Sequence, residues 1–153
     1  MKNNFYRCLR PILVAVILLA VLVGNALAAT YTIHVQAKAG WVDTGLDVQA
    51  GVGIPVRIYG AVLTGHWGRY SLSDANGQWW WYGCRISPNT TDEPCLLDGA
   101  PFGMLVGKVG TTAFPIGKVA MITPPATGRL YLGVNDYLIW LGDNGGGFEV
   151  LIK

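Results

Sequence analysis

Asp136, Asp143 and Asn144 stand close together in the glycine-rich stretch VNDYLIWLGDNGGGFEVLI, residues 134–152, between two apolar runs. A hairpin turn is satisfied by a single Asn-Gly or Asp-Gly pair, so this stretch carries more side-chain oxygen than a turn requires. In a chain with only 13% charged residues, that surplus asks for a use. Two carboxylates and an amide, together with the carbonyls of a closely turning backbone, suit a hard cation. Ca2+ in particular takes about 6–8 oxygens and tolerates irregular geometry. The EF-hand spacing is absent. The same residues also suit turn capping through side-chain to backbone bonds, and local spacing leaves both readings open.

Other chemistry finds less support. His34 falls on the polar face of an alternating run, and His66 lies in TGHWG, read as a loop, with no Ser, Cys or carboxylate motif nearby to form a relay. No Cys or His spacing resembles a zinc site. The pattern therefore points away from an enzyme.

The elements that must position these oxygens begin after a leader. Lys2, Arg7 and Arg10 precede an apolar run from Ile12 to Val23, and NALA closes with Ala26 and Ala28. This is the three-part layout of a secretory signal peptide over residues 1–28, too short in its apolar run for a bilayer span. The expected mature domain is 29–153, a single domain with a real core. Without the leader's three basic residues, 8 basic residues face 9 acidic ones, a formal charge of about −1. No Lys/Arg cluster remains to suggest a nucleic-acid surface. Cys84 and Cys95 are the cysteines left after Cys8, and an even pair in an exported domain reads as one disulfide.

The mature sequence reads as all-β. YTIHVQA alternates, with Tyr31, Ile33 and Val35 on one face. GIPVRIYG places Ile54, Val56 and Ile58 together, and Pro55 argues for a strand start or an edge. MLVGKVG, RLYLGV and GFEVLIK are further strands, the last with Phe148, Val150 and Ile152 inward. Frequent Gly, Pro, Asn and Asp and the lack of helical period imply a single β-sandwich of jelly-roll type. A long connection between the strands near Ile58 and Leu105 holds Trp79, Trp80 and Trp81, either alternately packed or a sugar-stacking platform.

Three patches carry a resemblance to a known family: GVGIPVRIYG, APFGMLVGKVG and, most specifically, LYLGVNDYLIWLGDNGGGFEVLI. The chain resembles the soluble calcium-dependent galactose-binding bacterial lectins typified by LecA (PA-IL), whose fold is a galactose-binding-like β-sandwich. The resemblance covers the chain from about Trp41 onward. It implies that Asp136 serves both Ca2+ and sugar, that Asp143 stands where the family has an Asn bridging metal and sugar, and that Asn144 is a second amide ligand. Trp140 would contribute its backbone carbonyl, and Thr64 a further carbonyl from the loop after RIYG. Tyr137 would line the sugar site. The family's His and Gln that select galactose have no counterpart near TTDEPCLL, where Asp92 or Glu93 would stand in.

The expectation is an exported, periplasmic or secreted, calcium-dependent carbohydrate-binding module that recognises a sugar diol through Ca2+. Its expected partners are a glycan, galactose-containing in the family, and further copies of the chain as a homo-oligomer. The mature form would have no membrane span. The alternative, from another class, is a non-catalytic structural or protein-interaction sandwich of the cell envelope.

Overall fold

Alternation in the sequence becomes two packed antiparallel sheets. A computed structural model of the chain describes residues 30–66, 69–78 and 94–153. The expected leader, Cys84, Asp92, Glu93 and the Trp79–Trp81 cluster lie outside the described residues.

The strands, in chain order, are β1 (Tyr31–Gln36), β2 (Val42–Val48), β3 (Ile54–His66), β4 (Arg69–Ser73), β5 (Asn76–Gln78), β6 (Phe102–Val109), β7 (Thr112–Pro115), β8 (Met121–Ile122), β9 (Gly128–Val134) and β10 (Gly145–Ile152). One sheet runs β1-β10-β3-β4, with β8 pairing β3; the other runs β2-β9-β6-β5, with β7 pairing β6. A 3-10 turn, Leu141–Asp143, interrupts the β pattern just before β10. Among the described residues no helix is long and apolar enough to cross a membrane.

The core is the meeting of inward-facing side chains from the two sheets. Val35, Val56, Val62, Phe148, Val150 and Ile152 come from the first, Leu105, Val109, Leu130, Leu132 and Val134 from the second. Alternation explains the selection: on β10, Phe148, Val150 and Ile152 are buried while Glu149 between them is exposed. Glu149 pairs across the outer face with His34, at 3.5 Å and in solvent. Each wholly buried aliphatic or aromatic side chain stabilises the fold by roughly 1.5–3 kcal/mol relative to exposure, so this double row supplies most of the driving force.

The outer face of the second sheet carries a smaller apolar layer. Leu96 and Ala100 pack on Met104 and Val106, with Trp41 and Leu97 against them. Lys108, further along β6, lies over the rings of Trp41 at 4.8 Å and Tyr131 at 5.1 Å. Segment 94–101 therefore lies across the sheet as a cover.

Several expectations need adjustment. Pro55 is the second residue of β3, where it pairs with Met121 of the short β8, so the reading of a strand start holds. Tyr31, which shares a face with Ile33 and Val35, is 49% exposed at the first position of β1, whereas Val35 is 1% exposed. Thr64 and His66 are not in a loop: β3 continues through them and pairs with β4 as far as His66↔Arg69. Gly60, taken as the strand's end, has φ 106 and pairs with Phe148, so the strand bends and goes on. Similarly β10 starts at Gly145, two residues before the GFEVLIK run read from sequence.

Replacing Phe148 with Ala should lower stability by about 3–5 kcal/mol, the usual cost of emptying a core aromatic site. Arg57→Ala, on an exposed β3 position, should stay within about 0.5 kcal/mol. Urea denaturation midpoints compare the two; equal shifts would contradict the packing described.

Candidate metal centre

The oxygens singled out from sequence converge where β9 ends and β10 begins. Asp136 follows β9 by two residues and is 1% exposed; Asn144 immediately precedes β10 and is 6% exposed. The intervening loop is built from consecutive tight turns. The Trp140 N–H donates to the Tyr137 carbonyl at 3.0 Å, the Asp143 N–H to the Trp140 carbonyl at 3.2 Å, and the Asn144 N–H to the Leu141 carbonyl at 3.3 Å. Gly146 lets the chain leave this turn close to β3. Its φ is 73, and a Cβ there would run into the Ala61 carbonyl oxygen, so a side chain is barred both by conformation and by space.

The Asp136 carboxylate is the most constrained polar group of the loop. Oδ1 accepts the Tyr137 N–H at 2.7 Å. Oδ2 is buried and accepts no hydrogen bond from any described residue, and the same is true of Asn144 Oδ1. Asn144 Nδ2 donates to the Ala37 carbonyl at 3.4 Å, which turns the amide oxygen away from that partner. Two of the three buried polar side-chain atoms without a partner among the described residues thus belong to the two residues expected to bind a cation. Leaving each so costs about 1–3 kcal/mol in desolvation.

Burial pushes the Asp136 carboxyl up from the ordinary 3.8 to about 6; the Asn144 amide and the Tyr137 N–H oppose the rise, and Asp143 adds to it. Asp143 is therefore near enough to be felt electrostatically, although its own side chain is exposed at the rim. Thr64 also arrives here. Leu63 pairs with Gly145, so Thr64, the next residue of β3, stands level with Asn144. Thr64 Oγ1 accepts a hydrogen bond from Gln78 Nε2 at 3.1 Å, and the same nitrogen donates to the Ser71 carbonyl at 2.7 Å. The Tyr137 ring turns back onto Phe102, with centroids 5.3 Å apart, leaving its backbone at the rim.

Among the described residues no three His, Cys, Asp or Glu side chains gather as a metal cluster. A cation at this place would draw on two carboxylates, an amide and backbone carbonyls, an all-oxygen set suited to a hard ion rather than to zinc or copper. The orphaned oxygens of Asp136 and Asn144 fit that donor chemistry.

The overall architecture has a counterpart. Among solved structures, the chain is similar to "EclA N-terminal domain; PllA-like lectin", with a TM-score of 0.54 and 21% identity, over 80% of this chain and 93% of that chain. The fold is lectin-like. No family model and no curated protein matches the chain. This lectin-like sandwich holds Asp136, Asn144 and Thr64 at one end of its sheets, with Asp143 and Trp140 on the loop between.

Sequence reasoning missed two buried amides here. Gln78 holds Thr64 to β4, and Asn135, 0% exposed, anchors segment 97–101. Gln78 follows ANG and precedes the tryptophans with no pattern to mark it, whereas Asn135 is legible as a polar residue closing the apolar run RLYLGV.

The raised Asp136 pKa fixes a pH dependence for the metal-free protein. Between about pH 4 and pH 6 the folded state keeps a proton that the unfolded chain has released, so stability should fall as pH rises through this window. The loss should level off above pH 6 at roughly 3 kcal/mol. Asp136→Asn should abolish the slope. Denaturant unfolding in EDTA across pH 4–8 measures both; an unchanged slope in the variant would assign it to another group.

Proposed function

We propose that the chain is a calcium-dependent carbohydrate-binding module of the LecA type, exported to the periplasm or beyond, that recognises a sugar diol through bound Ca2+. The single observation that carries this reading is the pair of buried oxygens without a partner among the described residues, Asp136 Oδ2 and Asn144 Oδ1, at the two ends of a loop built from consecutive turns. A lectin-like fold around them supports it.

The residues that would hold the ion are Asp136, Asp143 and Asn144 through their side chains and Trp140 and Thr64 through their carbonyls. Bound calcium supplies a hard cation whose remaining coordination positions accept two vicinal hydroxyls in place of water. Asp136 and Asp143 accept the hydroxyl protons as charge-assisted hydrogen bonds. The loop backbone, locked by its turns, keeps these acceptors in place before any ligand arrives. On this reading the expected activity is binding without turnover. Galactose-type sugars are the first to test, with Asp92 or Glu93 completing the selection and Cys84–Cys95 closing the connection that carries them.

A second reading rests on a different observation. Leu138, Ile139 and Trp140 are 46%, 60% and 49% exposed at the tip of the same loop. A run of exposed apolar residues suits a protein-interaction sandwich as well as a ligand rim.

Millimolar Ca2+ should raise the melting temperature and EDTA should reverse the gain, following the linkage between binding and stability. Asp136→Ala should lose both the calcium response and any calcium-dependent signal on a glycan array. A chelator-insensitive melting curve would sink the calcium reading; silence on the array despite a calcium-dependent melt would favour the interaction module.

A further inference from the structure

Asn135 precedes Asp136 and is 0% exposed, unusual for an asparagine unless its groups are paired. Here they are. Its N–H donates to the Met104 carbonyl at 2.8 Å and its carbonyl accepts the Gly103 N–H at 2.8 Å, which ties the main chain to β6. Its Oδ1 accepts the Leu97 N–H at 2.8 Å, while Nδ2 donates to the carbonyls of Ala100 at 3.0 Å and Pro101 at 3.3 Å. One side chain thus holds three backbone groups of segment 97–101.

That segment does not stop at Asn135. The Leu96 N–H donates to the Asp136 carbonyl at 3.3 Å, Cys95 forms a β-bridge with Tyr137, and the Leu138 N–H donates to the Pro94 carbonyl at 3.1 Å. Residues 94–101 therefore form a strap laid along 135–138, the backbone from which the Asp136 carboxylate projects. Its seat is tight: a Cβ on Gly133 would come within 2.8 Å of Leu96 Cδ1 and 3.0 Å of the Gly40 carbonyl oxygen.

We propose that Asn135 is a positioning residue for the cation site, fixing the strap 94–101 and through it the direction of the Asp136 carboxylate. The proposal rests on the calcium reading for what the site does, and on the hydrogen bonds alone for the coupling. The chemistry explains why an amide is needed. The position demands one acceptor and two donors within a single short planar group, and asparagine provides them. Aspartate keeps the acceptor but turns a charge onto two carbonyls; alanine leaves all three backbone groups unpaired. Groups behind a metal ligand commonly change metal affinity about 10–100-fold when removed.

The test compares the full chain with Asn135→Ala and with Ile152→Ala, a core change at the opposite end of β10. Calcium affinity is read by calorimetry well below the melting temperature, and amide hydrogen exchange is read in EDTA. Asn135→Ala should weaken calcium binding at least about tenfold and speed exchange at 96–101 and 136–138, with β1 and β10 still protected. Ile152→Ala, even with a similar fall in melting temperature, should change affinity less than about twofold, as expected for independent sites. Unaltered affinity in Asn135→Ala, or exchange that rises equally in β1 and β10, would overturn the proposal. Should Asn135→Ala fail to fold, the neutral Asn135→Ser, which cannot reach all three backbone groups, gives the same comparison. In the wild type, calcium should slow exchange at Leu96 and Leu97, and no change there would also count against it. A wild type that takes up no calcium would overturn the functional reading instead, and the exchange comparison in EDTA would then decide the clamp by itself.

Discussion

The burial of one carboxylate organises this end of the molecule. Asp136 is withdrawn from water to 1% exposure, and among the described residues only one of its oxygens accepts a hydrogen bond. A charge in that position is costly unless a partner is supplied; the Asn144 amide and the Tyr137 N–H offset part of that cost, while the nearby Asp143 carboxylate adds to it. The same burial that raises its pKa to about 6 makes it a strong acceptor for a cation, since removal of water strengthens every remaining electrostatic contact.

The rest of the sandwich can be understood as the frame for that loop. The main chain on either side of it is held by a strand: β9 before it in one sheet, β10 after it in the other. The loop therefore bridges the two sheets, and the core residues that hold the sheets together also set the distance between Asp136 and Asn144. β3 completes the frame by delivering Thr64 beside Asn144, and the strap 94–101 closes it from the second sheet. A loop held in this way has little freedom to rearrange, which lowers the ordering cost of binding a ligand there.

Much of the architecture was legible because strand alternation is a local signal. Val35, Val56, Phe148, Val150 and Ile152 are inward as their spacing requires, and the choice of Asp136, Asp143 and Asn144 rested on a local excess of oxygen. What escaped was set by tertiary contacts. β2, β4, β5, β7 and β8 are short or glycine-bearing, and they pair because a neighbour offers an edge. The continuation of β3 past Gly60 depends on β10 and β4 lying alongside, which no feature of YGAVLTGH announces. Asn135 is in sequence only a polar neighbour of Asp136, and its hold on residues 97–101 emerges only once that segment, distant in sequence, is folded over it.

Whether Asp136 and Asn144 share a bound calcium is decided by a crystal grown or soaked with CaCl2. Anomalous density for one ion is expected within coordination distance, about 2.3–2.6 Å, of Asp136 Oδ2 and Asn144 Oδ1. Crystals saturated with calcium that show no ion there, with both oxygens hydrogen-bonded to protein or water instead, would contradict it.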